Sequence, residues 1–379
     1  MALVLNEEQR MLKDSASEFL KEHAPVEALR KLRDEKDATG FSQELWQQIV
    51  ELGWTAIAIP ESYGGLDFGF QGLGVIFQEM GHTLTASPLF SSIVLGASTI
   101  ELLGSDGQKE QYLPQIASGE VSYALALEET NRHAPYHIAC TAKASGNDFI
   151  INGAKTFVLD GHTADKLLVV ARVSGAENSP EGVSVFVVDK SAEGVNIERT
   201  IMMDSRNAAN ITLNNVTVSQ SDALGELGAA YPNLDKVLDR GRAMLSAEML
   251  GGCLEMFQRT MEYLKEREQF GVKIGTFQAL KHRASMMFVE IELAKSVVLQ
   301  ALTAIDNNAD DAAELACIAK AKLNDTFQLV TNEATQMHGG IGVTDELDVG
   351  LFLKRARVNI HTLGDSIFQR DRFATLKGY

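Results

Sequence analysis

The segment REQFGVKIGTFQ, from Arg267 to Gln278, lies between two long helical patterns and decides how the rest of the chain is interpreted. It places a cation, an amide, an aromatic ring and a second amide within one short connection. The later segment QMHGGIG, from Gln336 to Gly342, sets a glycine pair directly after another helical pattern. An arginine at a helix end offers a fixed fork of donors to a pyrophosphate, and a glycine pair lets a backbone approach a ligand closely. The two segments therefore favour a ligand that carries phosphate and a flat ring.

Each side chain of the first segment suits one part of such a ligand. Arg267 can bind the pyrophosphate bidentately. Gln269 and Gln278 carry amides that can bond a ribityl chain or an adenine edge, and Phe270 offers a ring face or an apolar wall. The alternative is structural: the same residues form a helix cap and a packed turn, and the glycine pair forms an ordinary helix C-cap. These residues alone leave both interpretations open.

The helical patterns around these segments predict an antiparallel four-helix bundle over residues 226–379. Apolar residues repeat at intervals of four or seven over 238–264. Two further stretches, 280–305 and 315–337, also carry apolar residues at helical spacing. The polar stretch NNADD at 307–311 predicts the turn between them. Long helices with short connections are typical of such a bundle.

Upstream of the bundle the period of the apolar residues differs. Residues 121–225 contain short apolar or alternating runs, such as VSVFVVDK and NITLNNVTV, separated by Gly, Asn, Asp and Ser. This pattern predicts a middle antiparallel, β-barrel-like domain. Residues 1–120 are helical in pattern, and Asn6 with Gln9 predicts a capping box at the first helix. The expected fold is mainly α with a central β domain: an N-terminal helical domain, the β domain and the four-helix bundle.

The composition argues against several classes of protein. The 379 residues carry 34 Lys and Arg against 51 Asp and Glu, a formal net charge of -17. Such a surface repels polyanions, so neither nucleic acid nor an anionic membrane is expected as a partner. No apolar stretch predicts a signal peptide or a membrane helix. Cys140, Cys253 and Cys317 are too scattered for a metal motif and predict free thiols in a reducing, cytoplasmic compartment.

The order of these domains and the two segments resemble the acyl-CoA dehydrogenase family over the whole chain. The early segments IPESYGG at 59–65, QYLPQIASGE at 111–120 and NGAKTFV at 152–158 are similar to the family as well. The family has an Arg, a Gln-Phe-Gly and a Phe-Gln in its first motif and a Gln-x-x-Gly-Gly-x-Gly in its second. These motifs are matched by Arg267, Gln269, Phe270, Gly271, Phe277 and Gln278, and by Gln336, Gly339, Gly340 and Gly342.

The resemblance implies FAD held between the subunits of a homotetramer, or of a heterotetramer with a related subunit. It also places Phe157 in the strand behind the flavin and Arg242 beside the thioester. The alternative for Arg242 is a solvated position on a helix surface. In the family the first motif contacts FAD in one subunit, and the second motif reaches the cofactor of a neighbour. The resemblance therefore assigns the first role to Arg267, Gln269, Phe270 and Gln278. It assigns the second role to Gln336, Gly339 and Gly340.

The implied reaction is α,β-dehydrogenation of an acyl-CoA thioester. A carboxylate removes the α-proton while the β-hydrogen passes as hydride to the flavin. Electron transfer flavoprotein is the implied electron acceptor, and fatty acid or sterol catabolism is the implied context.

The chain departs from the family on the reactive side of the cofactor. The usual base is a Glu in an aromatic-Glu-Gly-Thr motif, but the aligned stretch HTLGDSIFQR places Leu363 at the Glu and Asp365 at the Thr. A minority of the family supplies the Glu from a helix, at the position of Gly241 here. In the β domain, EETNRHAPYH at 128–137 replaces the usual Thr-Glu-Pro and Gly-Ser-Asp, and Leu159 replaces a Thr. Neither known location of the base therefore holds a carboxylate.

Three hypotheses follow from these departures. In the first, the chain is an active dehydrogenase with Asp365 as the nearest candidate base, although a helix N-cap is the structural alternative for this residue. In the second, which we favour, it is one subunit of a heteromeric acyl-CoA dehydrogenase and a partner holds the Glu. Small subunits of pimeloyl-CoA-type and sterol-side-chain-type enzymes are similar here. In the third, it is a non-catalytic relative that binds flavin or acyl-CoA as a scaffold.

Overall fold

The N-terminal part of the chain is helical, as predicted. A computed structural model describes residues 4–379, so residues 1–3 of the expected N-terminal domain lie outside the described part. The predicted capping box begins the first helix, because Asn6 Oδ1 accepts from the Gln9 amide at 2.7 Å and Gln9 Oε1 accepts from the Asn6 amide at 3.0 Å. A π-helical segment, Phe90–Ala97, leads directly into the fifth helix. The helices are α1 (Glu7–His23), α2 (Val26–Asp34), α3 (Gln43–Glu51), α4 (Gly69–Thr83), α5 (Ser98–Leu103) and α6 (Asp106–Ala117).

The middle of the chain forms a seven-stranded sheet. Its strands are β1 (Tyr123–Ala126), β2 (Thr141–Ser145), β3 (Asp148–Leu159), β4 (Lys166–Arg172), β5 (Val183–Asp189), β6 (Val195–Ile201) and β7 (Asn207–Ser219). The order is β1-β4-β2-β3-β7-β6, and β5 pairs with the other edge of β4. The predicted central β domain is confirmed. Most pairings are antiparallel, but β1 and β2 both run parallel to β4, sharing one of its edges.

Long helices form the C-terminal part, as predicted. Apolar positions expected to face inward on the second long helix are buried in the structure: Ala284, Met287, Ile291, Ala294, Val298, Ala301 and Ile305. The elements are α7 (Tyr231–Glu266), β8 (Glu268–Gln269), β9 (Val272–Lys273), α8 (Gln278–Asp306), α9 (Ala312–His338), α10 (Val349–His361) and α11 (Ser366–Leu376). The predicted turn at 307–311 falls between α8 and α9, and the short α11 packs against α9.

Contacts divide the chain into two compact units. The bundle unit consists of Met1–Lys31, Phe70–Thr85 and Arg242–Tyr379, and the sheet unit consists of Leu32–Gly69 and Ala86–Gly241. Helix α7 therefore contributes residues to both units. The domain boundaries at residues 120 and 225 stay predictions.

Candidate functional site

The connection between α7 and α8 is a tight hairpin with a strained turn. Its strands β8 and β9 pair, and the turn residues Phe270 and Gly271 have φ angles of 56° and 77°. Two positive φ values suit the primed turns of two-residue hairpins, which Gly and Asn adopt far more easily than Phe. The Phe270 side chain is 91% exposed, and its ring lies edge-on to the Phe277 ring with the centroids 6.1 Å apart. The chain therefore tolerates about 1–3 kcal/mol of backbone strain to present an aromatic ring outward.

The predicted polar groups of this segment are exposed as well. Arg267 directly follows α7, and its guanidinium makes no hydrogen bond or ion pair with any residue in 4–379. The Gln269 amide donates to the carbonyl of Glu268 at 2.7 Å. Gln278 is exposed at the first position of α8. The Arg267 fork is thus available to a ligand or to another chain.

The glycine pair after α9 is only partly explained by the fold. Gly339 caps α9 with φ 66° and ψ -142°, a conformation that requires glycine, so the C-cap interpretation is right for this residue. Gly340 has no positive φ, and a Cβ added to it would meet no atom within 4 Å. A cavity of about 430 Å³ opens here, with Gln336, Gly339 and Gly340 in its wall. The packing of the described residues therefore does not itself require glycine at position 340.

A stacked pair of rings joins the two segments. Tyr263, near the end of α7, stacks on His338, the last residue of α9, with ring centroids 4.4 Å apart. The Tyr263 hydroxyl donates to the His338 carbonyl at 3.2 Å, and His338 Nδ1 bonds the Ala334 carbonyl at 2.7 Å. Burial lowers the pKa of His338, which favours the neutral ring. The helix ends that lead into Arg267 and into the glycine pair therefore lie side by side in one chain.

The position of the expected base lies in a strained turn between α10 and α11. Leu363 is buried with φ 56°, and Gly364 follows with φ 101°. Asp365 is the N-cap of α11, since its Oδ1 accepts from the amides of Ile367 at 3.0 Å and Phe368 at 2.9 Å. The structural alternative for Asp365 is therefore observed, and a catalytic role for it stays a prediction. Gly241, the other position at which the resemblance predicts the base, is a buried residue of α7.

Arg242 is fully buried, so the alternative of a solvated surface arginine is wrong. Its Nε donates to the Leu363 carbonyl at 3.4 Å, and its guanidinium carbon lies 5.7 Å from the centre of the Phe368 ring. Arg242 thus contacts the very turn that carries Leu363. A direct contact with a thioester stays a prediction.

In the sheet unit, a buried ion pair fixes the loop that departs from the family. Lys155 is 1% exposed, and its Nζ bonds Glu129 at 2.6 Å and the Leu127 carbonyl at 3.2 Å. Glu129 also accepts from the Ala139 amide at 2.6 Å. Phe157, two residues beyond Lys155, has φ 53° at an irregularity in the β3–β7 register and is partly exposed. In the sequence, the only sign of the Lys155–Glu129 ion pair is that Lys155 lies within the family-like segment NGAKTFV.

A second, larger cavity of the bundle unit contains none of the predicted site residues. Its volume is about 840 Å³, and α1, α4, α7 and α8 line it. Within residues 4–379, none of the helices combines the length and the apolar character that a membrane span requires.

The chain is a mainly helical protein with a central sheet and a C-terminal bundle of long helices, and its bundle unit exposes the Phe270 ring and the backbone at Gly340. The chain belongs to the acyl-CoA dehydrogenase family. The family's N-terminal, middle and C-terminal domain models match residues 6–120, 125–216 and 232–375. The family consists of FAD-dependent oxidoreductases, and FAD is the cofactor.

Relatives of this chain include reductases as well as dehydrogenases. It is 28% identical to a 3-(aryl)acrylate reductase of Clostridium sporogenes over 364 residues, 94% of either chain. It is 27% identical to CarC, a subunit of the caffeyl-CoA reductase-Etf complex of Acetobacterium woodii, over 363 residues, again 94% of either chain. Among solved structures, a variant of the Tcur3481-Tcur3483 steroid ACAD is 30% identical, has a TM-score of 0.88 and shares 98% of either chain.

The residues present fit FAD on the side of its phosphates and ring. Arg267 has an unengaged fork of donors, Phe270 has an uncovered ring, and Gly340 has open space where a side chain would be. A guanidinium suits the phosphates of a dinucleotide, and an exposed ring and an open backbone suit close contact with its flat parts.

Proposed function

We propose that this chain is the cofactor-binding subunit of a heteromeric acyl-CoA dehydrogenase, and that a related partner chain supplies the residue that removes the α-proton. The observation that carries the proposal is a contrast within the bundle unit. The Phe270 ring is exposed and the backbone at Gly340 has open space beside it, so both can contact a cofactor. Leu363, by contrast, is apolar at the position that we align with the family Glu. The steroid relative is named for a pair of chains and CarC for a complex with Etf, which supports assembly with another chain.

The two motifs of the bundle unit are proposed to hold FAD, the first motif in its own subunit and the second motif in a neighbouring subunit. When bound, FAD supplies a two-electron acceptor for the carbon–carbon bond beside the thioester carbonyl. Arg267 binds the pyrophosphate, Phe270 covers the ring system, and the backbone at Gly340 approaches the cofactor closely. In the proposed assembly, Gln269, Gln278 and Gln336 bond the polar parts of the cofactor, and Gly339 adds backbone beside Gly340.

The proposed division of labour follows from the chemistry of the α-proton. A proton acceptor must lie within hydrogen-bond reach of that proton. Leu363 has no basic atom, and Asp365 uses Oδ1 to cap α11, which fixes its carboxylate at the helix N-terminus. The partner chain therefore supplies the carboxylate in this proposal, and an electron transfer flavoprotein accepts the electrons, by analogy with the CarC complex.

Restoring a carboxylate at the aligned position tests the proposal. The variant Leu363→Glu, supplied with excess FAD, is expected to be bleached anaerobically by butyryl-, octanoyl- or phenylpropionyl-CoA about 100-fold faster than the parent chain. The matched control Leu363→Gln has a side chain of the same shape but no base, and is expected to behave like the parent. A parent chain that is bleached as fast as the Glu variant would contradict the proposal.

A further inference from the structure

Buried polar side chains from different helices converge on the turn that carries Leu363. Lys320 of α9 is fully buried, and its Nζ donates to Asn324 Oδ1 at 2.5 Å, the Asn359 carbonyl at 2.9 Å and the Gly364 carbonyl at 3.2 Å. The first acceptor belongs to its own helix, the second to the end of α10 and the third to the turn itself. The Lys320 side chain thus ties α9 to the end of α10 and to the turn.

The opposite side of the same turn is held by two more buried groups. Gln369 of α11 is 0% exposed, and its Nε2 donates to the carbonyls of Leu363 at 2.7 Å and Gly364 at 3.3 Å. Arg242 of α7 donates to the Leu363 carbonyl from a third direction. We call Lys320, Gln369 and Arg242 the turn clamp. It binds two consecutive carbonyls of residues that both have positive φ.

The energetics of Lys320 indicate a role beyond filling space. Burial lowers the pKa of the Lys320 ammonium well below its ordinary value, and the nearby Arg242 adds to this effect while Asp365 opposes it. A buried cation costs free energy unless its donors are satisfied. Here the last carbonyls of α10, which have no partner within the helix and carry its negative dipole end, supply part of that satisfaction. The Lys320 amino group lies where it bonds both the end of α10 and the turn that follows it.

We infer that Lys320 is a positioning residue that, with Gln369 and Arg242, holds residues 363 and 364 in their positive-φ conformations and so sets where the side chain at position 363 points. The structural part of this inference stands on the contacts alone. Its consequence for catalysis rests on the proposed function, because it assumes that residue 363 faces the thioester.

The structural part is tested by hydrogen exchange of the peptide that covers 361–369. Lys320→Met keeps the apolar stem and removes the charge, and it is expected to speed exchange in this peptide about tenfold or more. Lys322→Met, on the same helix but paired with Glu290 near the surface, is the matched control and should leave the peptide unchanged. If Lys320→Met fails to fold, Gln369→Met tests the turn clamp instead, because it removes donors to the Leu363 and Gly364 carbonyls and changes no charged residue. Exchange in 361–369 that equals the control would overturn the inference.

The catalytic consequence is tested in the Leu363→Glu background. Adding Lys320→Met is expected to slow bleaching by octanoyl-CoA about tenfold while the half-saturating thioester concentration stays the same, because the carboxylate is displaced and the binding surface is not. Adding Lys322→Met should change neither value. If Leu363→Glu itself is not bleached, the proposed function fails, and the exchange experiment still decides the clamp. An unchanged bleaching rate in the Lys320→Met double variant would contradict the positioning role.

Discussion

At the scale of single residues, the sequence is informative about side chains that are exposed and can contact a ligand or another chain. Arg267 and Phe270 were candidates for ligand contact from their types and spacing, and the structure leaves both exposed. Lys155 and Lys320 were not recognised, because a lysine is normally solvated and becomes buried only through partners distant in sequence. Those partners, Glu129 for the first and the carbonyls of Asn359 and Gly364 for the second, are known only once the chain is folded.

A substitution at Gly340 can distinguish an effect on FAD binding from an effect on stability. We expect Gly340→Ala to change the free energy of unfolding of the FAD-free protein by no more than about 0.5 kcal/mol, since the added methyl meets nothing. Its affinity for FAD should fall about 5- to 100-fold, the range for forcing a methyl group into a packed contact. Gly350→Ala is the matched control, because its methyl also meets nothing and Gly350 of α10 does not line the cavity that contains the glycine pair. Equal FAD affinity in both variants, measured by fluorescence titration, would count against contact at 340.

Asp365 allows the base and the cap to be told apart. Asp365→Ala should lower the free energy of unfolding by about 1 kcal/mol, because α11 loses its N-cap. Asp365→Asn keeps a capping oxygen and should be close to the parent in urea unfolding. A loss of thioester-dependent bleaching in Asp365→Asn, with stability retained, would instead support the hypothesis that Asp365 is the base.

At the scale of elements, periodicity predicted the long helices well and the sheet only in outline. The buried stripe of α8 repeats at helical intervals, so that it could be read directly. The parallel pairings of β1 and β2 with β4 were not predicted, because alternation of apolar residues reports which face is buried and not which strand is the neighbour. The turn clamp was missed for the same reason, since it depends on how α9, α10 and α11 meet.

The end of α9 should make stability depend on pH. Burial lowers the pKa of His338 in the folded state below its ordinary value of 6.5, so the unfolded chain binds more protons in acid. The contribution of this ring is therefore fully present above about pH 6.5 and is lost as the pH falls below it. Urea unfolding at pH 7.5 and 5.5 should show a smaller loss of stability for His338→Gln than for the parent. An identical loss in both proteins would contradict the assignment.

At the scale of the whole molecule, the single chain leaves an apolar stripe on α8 uncovered. Met286, Val289 and Leu293 are more than half exposed and lie at helical spacing on one face. A stripe of this kind marks a protein contact. The sequence pattern alone could not separate it from the buried stripe, because both are apolar and share one helix.

The stripe predicts assembly through the bundle unit. The double variant Val289→Glu and Leu293→Glu should shift the protein to a smaller species in light scattering after size exclusion, because burying two carboxylates at an interface is costly. Thr217→Glu, an exposed position on β7, adds charge away from the stripe and should leave the assembly unchanged. Unchanged mass in the double variant would place the interface elsewhere.

The central claim is that this chain binds the cofactor side of an acyl-CoA dehydrogenase site and does not itself remove the α-proton. For the most direct measurement, the purified chain is first incubated with FAD, and unbound FAD is then removed. The protein is titrated anaerobically with acyl-CoA thioesters while its flavin absorbance is recorded. The account predicts a low FAD content for the chain alone and no bleaching of the flavin that is bound. One FAD per chain that is bleached stoichiometrically by a thioester, with no partner present, would contradict it.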